Sequence, residues 1–334
     1  MSKVKIFVFI SALALLVSCR GNRGQGRQND SNTDTELLED KGLTYRNPII
    51  DKYLADPCLM YDNGFYYLFA TGKAEDGRFI PIHRTRDFVN WEFVRGAVER
   101  GGKTDWNYNH FWAPEVIRID GKWHLYYTAT PEHSPRNSGN RVGLAVSDSI
   151  QGPYQDRGVV IPHGSIDGHV FIDEDKQMYM FYTIEHLNSD GLTAGQIYVD
   201  RLLAPNRVEG KPKQIVSHHK WQEGPFLQYR YNKYFLTYSS GAWTNETYHV
   251  RYAVASSPEG PFTEQPDTIL SSNEMVKGPG HHFMYQDKYG KDWIIYHGWD
   301  TAFTARYPRI DRIFFSENSI RSDGPTFSKQ KLDR

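Results

Sequence analysis

An all-β fold, a five-bladed β-propeller, is the class that this 334-residue sequence predicts. Three observations carry the prediction. A turn-plus-strand pattern recurs five times at nearly equal intervals. The chain holds 22 Tyr, 18 Phe and 8 Trp beside 28 Gly and 17 Pro, a turn-rich and aromatic-rich composition. No long stretch shows a helical period, and strand-rich units of about 50 residues with aromatic punctuation are the sequence sign of propeller blades.

The first turn and strand read Gly64-Phe65-Tyr66-Tyr67-Leu68-Phe69, and the next Gly121-Lys122-Trp123-His124-Leu125-Tyr126-Tyr127. The third is Lys176-Gln177-Met178-Tyr179-Met180-Phe181-Tyr182 and the fourth Asn232-Lys233-Tyr234-Phe235-Leu236-Thr237-Tyr238. Gly290-Lys291-Asp292-Trp293-Ile294-Ile295-Tyr296 closes the series, so the anchors 64, 121, 176, 232 and 290 stand 57, 55, 56 and 58 apart. Four residues past each anchor lie Leu68, Leu125, Met180, Leu236 and Ile294, all apolar. A second apolar strand follows in the middle units, at 142–146, 196–199 and 250–255. One domain over 45–325 accommodates all five blades.

Ahead of it, Lys3 and Lys5 precede an apolar run from Ile6 to Val17, too short to span a bilayer but suited to an export signal. The run ends in Leu16-Val17-Ser18-Cys19, which resembles the bacterial lipobox, with Cys19 as the lipidated residue. Residues 1–18 are therefore expected to be a lipoprotein signal peptide. Residues 19–44 are expected to be a flexible tether, because a segment without aromatics and rich in Gly, Asn, Gln, Asp and Thr buries too little to fold. The protein is expected to be exported and periplasmic, held to the membrane by lipid only. Cys58 is the other cysteine, and its apolar setting suits a small core residue better than a nucleophile. The 39 Lys and Arg against 40 Asp and Glu give a net charge of −1, which argues against a nucleic-acid partner.

One position per repeat carries chemistry. Nine residues before the last four anchors stand Trp112, Asp167, Glu223 and His281, and eight before the first stands Asp56. Innermost strands run along the channel of a propeller, so equivalent positions converge there. Three carboxylates, one His and one Trp are thus predicted to meet at one mouth of the axis. Pro or Gly beside Asp56, Asp167, Glu223 and His281 can aim each side chain. Converging carboxylates among aromatics suit glycoside hydrolysis, which needs a protonated acid at the leaving oxygen and a charged carboxylate opposite. A metal site is the rival use of the same residues, weakened by their long spacing and by the lack of a local ligand motif.

The chain also resembles glycoside hydrolase family 43 over roughly 45–325. The resemblance rests on Asn47-Pro48-Ile49 with Ala55-Asp56-Pro57, on Phe111-Trp112-Ala113-Pro114-Glu115-Val116, and on Ser165-Ile166-Asp167-Gly168 ahead of Phe171-Ile172-Asp173-Glu174-Asp175. It continues through Glu223-Gly224-Pro225, Gly278-Pro279-Gly280-His281, Tyr296-His297, and Arg306 ahead of Ile310-Asp311-Arg312. It implies an inverting hydrolase of arabinose- and xylose-containing glycans, with Asp56 as general base, Glu223 as general acid and Asp167 orienting the acid and raising its pKa. It further implies that Trp112, Phe111, Arg306 and His281 contact the sugar, and that His281 faces a hydrated structural calcium ion. No other cofactor is expected. Many family members carry Pro where this chain has Gly168.

Glu115, three residues past the phased position, is expected to be structural, as are His110, His282 and His297; Arg309 is the runner-up to Arg306. Two function classes follow. One is an exo-acting α-L-arabinofuranosidase, with a β-xylosidase as its near rival. The other is a non-catalytic glycan-binding propeller. The partner in either case is an oligosaccharide or polysaccharide, the protein is expected to be a monomer, and only a short tail, 316–334, is expected beyond the blades.

Overall fold

The structure, a computed structural model, describes residues 43–332 except 134–138, 187–190 and 217–219. Cys19 and the signal and tether segments up to residue 42 lie outside the described residues. Every regular element described is a β-strand, as the sequence predicts. Apart from a two-stranded sheet that joins the two ends of the described chain, the strands form five antiparallel sheets, each made of consecutive segments. Their innermost strands are Cys58–Asp62, Asn109–Ile119, Ser165–Ile172, Gln222–Arg230 and Lys277–Gln286.

Each sheet is buried on both faces because a neighbouring blade covers each one. In the strand Lys122–Thr130, Leu125 and Tyr127 pack into the core shared with blade 1, while Tyr126 points the other way into the core shared with blade 3. This is the two-residue alternation of a pleated strand, apolar on both sides. Five such cores lie between consecutive blades, including one between blades 5 and 1, so the ring is closed. The phased apolar residues Leu68, Leu125, Met180, Leu236 and Ile294 are all fully buried, each in the interface with the preceding blade. Burying such a side chain contributes about 1.5–3 kcal/mol. The repeat read in the sequence is therefore the inter-blade contact itself.

The folded region runs past the expected boundary at 325. Thr44–Tyr45 pairs with Gln330–Lys331, and Leu332 packs with Tyr45 and Ile49 against Trp293 of blade 5. The side-chain amide of Asn47 pairs with the backbone of Ile310, its Nδ2 donating to the carbonyl at 2.9 Å and its Oδ1 accepting the N–H at 2.9 Å. The expected tail also supplies Ile320–Ser322, the outermost strand of blade 5. The tail had no apolar repeat to betray it, because its role is to close the ring.

Candidate active site

At four of the five phased positions the innermost strand breaks its pairing register. The shifts fall around Trp112, between Ile166 and His169, between Glu223 and Phe226, and between Gly280 and Phe283. A bulge bends the strand and re-aims a side chain. The backbone there is left-handed, with φ of +52° at Asp56, +62° at Asp167, +42° at His281 and +58° at Gly224. Non-glycine residues in that region carry strain that the surrounding packing must hold. All three carboxylates, with His281, Trp112 and Arg306, consequently face one cavity of about 900 Å³, a size suited to a small glycan.

Asp56 is buried and well held. It accepts from Thr71 Oγ1 at 2.6 Å, and Thr71 also receives the Ala113 N–H at 2.8 Å, tying blade 1 to blade 2. Arg306 Nη1 lies 3.4 Å from Asp56 Oδ1, His297 Nδ1 3.1 Å and His281 Nδ1 3.6 Å. Burial works to raise this carboxyl's pKa, but His281, Arg306 and His297 outweigh it and hold the group well below the usual range. Asp56 is a charged carboxylate at neutral pH.

Asp167 behaves oppositely. Burial pushes its pKa up to about 7; His281 opposes the rise, and the charges of Glu223 and Asp56 add to it. Its Oδ2 accepts the Gly224 N–H at 3.0 Å, which fixes it beside Glu223. Glu223 receives Tyr248 Oη–H on one oxygen and Trp221 Nε1–H on the other, each at 2.6 Å. Asp56 and Asp167 are thus two carboxyls of one cavity whose surroundings drive their pKa values apart.

The wall is aromatic. Trp112 stacks on His110 with centroids 4.3 Å apart, and His110 is fixed by Asn140 at 2.8 Å, which in turn donates to Glu185 at 2.6 Å. Arg306 lies over Trp243 at 4.6 Å and donates from Nε and Nη2 to Tyr53 Oη, at 3.1 and 2.7 Å. Phe111 is a correction. It is buried in the core between blades 1 and 2, stacked on Phe79, because the pleat sends it opposite to Trp112.

Glu115 holds His169 Nδ1 at 2.8 Å and the Val170 N–H at 3.0 Å, while His169 Nε2 accepts the Leu227 N–H at 3.0 Å. It is a structural tie across three blades, as expected. His282 bonds Thr237 at 2.7 Å within the core. His297 is buried as expected, and its Nδ1 accepts the Asp56 backbone N–H at 3.2 Å. Arg309 is buried away from the cavity. Burial raises the Cys58 thiol's pKa well above its usual value, so it is inert core. At Gly168 a Cβ would stand 2.5 Å from Val142 Cγ1, so a bulkier residue there needs a smaller neighbour.

His281 lines the cavity beside Asp56 and Asp167. The ring's Nδ1 is directed at Asp56 and Asp167. Among the described residues no group of three or more His, Cys, Asp or Glu is placed to hold a metal.

A five-bladed propeller that gathers three buried carboxylates into an aromatic cavity defines a glycoside hydrolase. The model of glycosyl hydrolases family 43 matches residues 45–320, and the chain belongs to that family. It is 26% identical to a β-D-galactofuranosidase of Aspergillus niger, over 81% of this chain and 82% of that one. An extracellular exo-α-(1→5)-L-arabinofuranosidase of Streptomyces chartreusis is also 26% identical, over 76% of this chain and 82% of the relative. A thermostable family-43 glycoside hydrolase structure superposes with a TM-score of 0.74 at 28% identity, covering 85% of this chain and 97% of its own.

Proposed function

We propose that the protein is an inverting, exo-acting glycosidase that removes terminal α-L-arabinofuranosyl residues from plant-type oligosaccharides. The observation that carries the reading is the unequal setting of the carboxylates. Asp56 is held charged by His281 and Arg306. Asp167 and Glu223 line the same cavity, with Asp167 pushed up to about 7 and tied to the Gly224 N–H. A glycan-binding protein has no use for such a division. In this reading Asp56 takes a proton from water as that water attacks the anomeric carbon, while Glu223 protonates the departing oxygen. The furanosidase names of two relatives favour a five-membered ring in the cleavage subsite.

A panel of nitrophenyl α-L-arabinofuranoside, β-D-xyloside and galactoside tests the sugar. The arabinofuranoside should turn over fastest, by tenfold or more. Faster turnover of the xyloside would replace it with a β-xylosidase, and no turnover of any would favour a glycan-binding propeller. Proton NMR of the first-formed sugar should show the inverted anomer; a retained anomer refutes the stereochemistry.

We further propose that the enzyme works as an exported lipoprotein, supported by Lys3, Lys5 and Leu16-Val17-Ser18-Cys19. Cys19→Ala should move it from the membrane to the soluble fraction, and unchanged fractionation would refute the anchor.

A further inference from the structure

Each oxygen of Glu223 is met by a donor. Its Oε1 receives Tyr248 Oη–H and its Oε2 receives Trp221 Nε1–H, each at 2.6 Å. An indole N–H can only donate. Tyr248 is committed as well: Ser239 bonds to its hydroxyl while accepting the His281 N–H at 2.8 Å. Hydrogen bonds donated to both oxygens favour the charged carboxylate over the acid.

The arrangement is built into the backbone. The Trp221 ring lies flat on Gly195, where a Cβ would stand 2.6 Å from Cε3. The Tyr248 ring lies against Gly280, where a Cβ would stand 2.1 Å from Cε1. Gly195, in the turn just ahead of Gln196–Ala204, and Gly280, on Lys277–Gln286, thus make room for two donors. They are not equivalent, however. Tyr248 is fully buried, whereas Trp221 is half-buried and lines the cavity. Oε2 is therefore the oxygen that an incoming leaving group meets, and Trp221 stands on it.

We propose that Trp221 and Tyr248 hold Glu223 charged in the empty site, and that a bound glycan draws the Trp221 N–H off Oε2 so that Glu223 takes up a solvent proton there. Trp221 is then a positioning residue that delays arming of the acid until the cavity is filled. The inference rests on Glu223 being the acid. The charges facing Glu223 are Asp167 on blade 3, Asp56 before blade 1, His281 on blade 5, and Lys220, Glu185 and Arg306 around the cavity. A neutral substitution at Trp221 leaves all of them in place.

The alkaline limb of kcat/KM reports the acid in the free enzyme and that of kcat the acid in the complex. In the unmodified enzyme, the kcat limb should lie at higher pH. Trp221→Phe should raise the kcat/KM limb by roughly one pH unit, the loss of one hydrogen bond to a charged group, and leave the kcat limb in place. Equal movement of both limbs, or of neither, overturns the proposal; a structural role would lower kcat without separating them. Tyr248→Phe, which keeps its ring against Gly280, should raise the kcat/KM limb in the same direction. Carbon-13 NMR titration of the Glu223 carboxyl, assigned by Glu223→Gln, needs no turnover. An upward move in ligand-free Trp221→Phe supports the proposal even if every test glycoside proves inert, an outcome that would sink only the glycosidase reading. An unmoved carboxyl overturns it.

Discussion

Asp56→Ala is expected to lower kcat about a thousandfold on every glycoside, activated or not, within the range that general-base groups contribute. Water must be activated whatever leaves, so a better leaving group cannot compensate. Azide offered with a glycosyl fluoride should restore part of the rate, because an anionic nucleophile needs no base. The substitution also strips a counter-charge from Arg306 and His281, which lie 3.4 and 3.6 Å from Oδ1. Removing one partner of a buried ion pair is strongly destabilising, so circular dichroism must first show the variant folded. Asp56→Asn, which keeps the shape beside Thr71, should lose a similar factor in kcat. A folded Asp56→Ala variant that turns over nitrophenyl arabinofuranoside within tenfold of the parent would exclude Asp56 as the base.

The blade number and the three acids were legible because both are periodic. Leu125 and its counterparts repeat since each must fill the same inter-blade gap, and Asp56, Asp167 and Glu223 repeat since each stands at the cavity end of an innermost strand, Asp56 just ahead of its strand and the other two at a bulge. What lacked a period stayed hidden. Tyr248 reaches Glu223 from ahead of a different strand, and Thr71 reaches Asp56 from the end of another. Trp221 stood two residues from a phased acid, a signal available in the sequence but indistinguishable there from an ordinary core aromatic. Phe111 misled for the same reason in reverse: adjacency to Trp112 suggested a shared wall, while pleating sends neighbours to opposite faces. His297 looked like a core histidine and is buried like one; only the approach of blade 5 to blade 1 brings it to Asp56.

Glu223→Ala separates the acid from the base. With a natural glycan, whose leaving alkoxide cannot depart unprotonated, kcat should fall about a thousandfold, as for loss of a general acid. With a dinitrophenyl glycoside the fall should be tenfold or less, since that phenolate leaves without help. Equal losses on both substrates would mean that the acid lies elsewhere. The neighbouring Asp167 fixes the sign of a second effect. Its carboxyl is pushed to about 7, first by burial and, against His281, by the charges of Glu223 and Asp56, and a like charge beside a carboxyl works against ionising it. Asp167→Asn removes that charge and keeps the shape. The acid should then lose its proton more readily, and the alkaline limb of the pH–rate profile should move to lower pH, opposite to the move expected for Trp221→Phe. The two substitutions flank one carboxyl from two sides, one a charge and one a donor. Limbs that move the same way in both variants would show that Glu223 is not the group whose proton is being read.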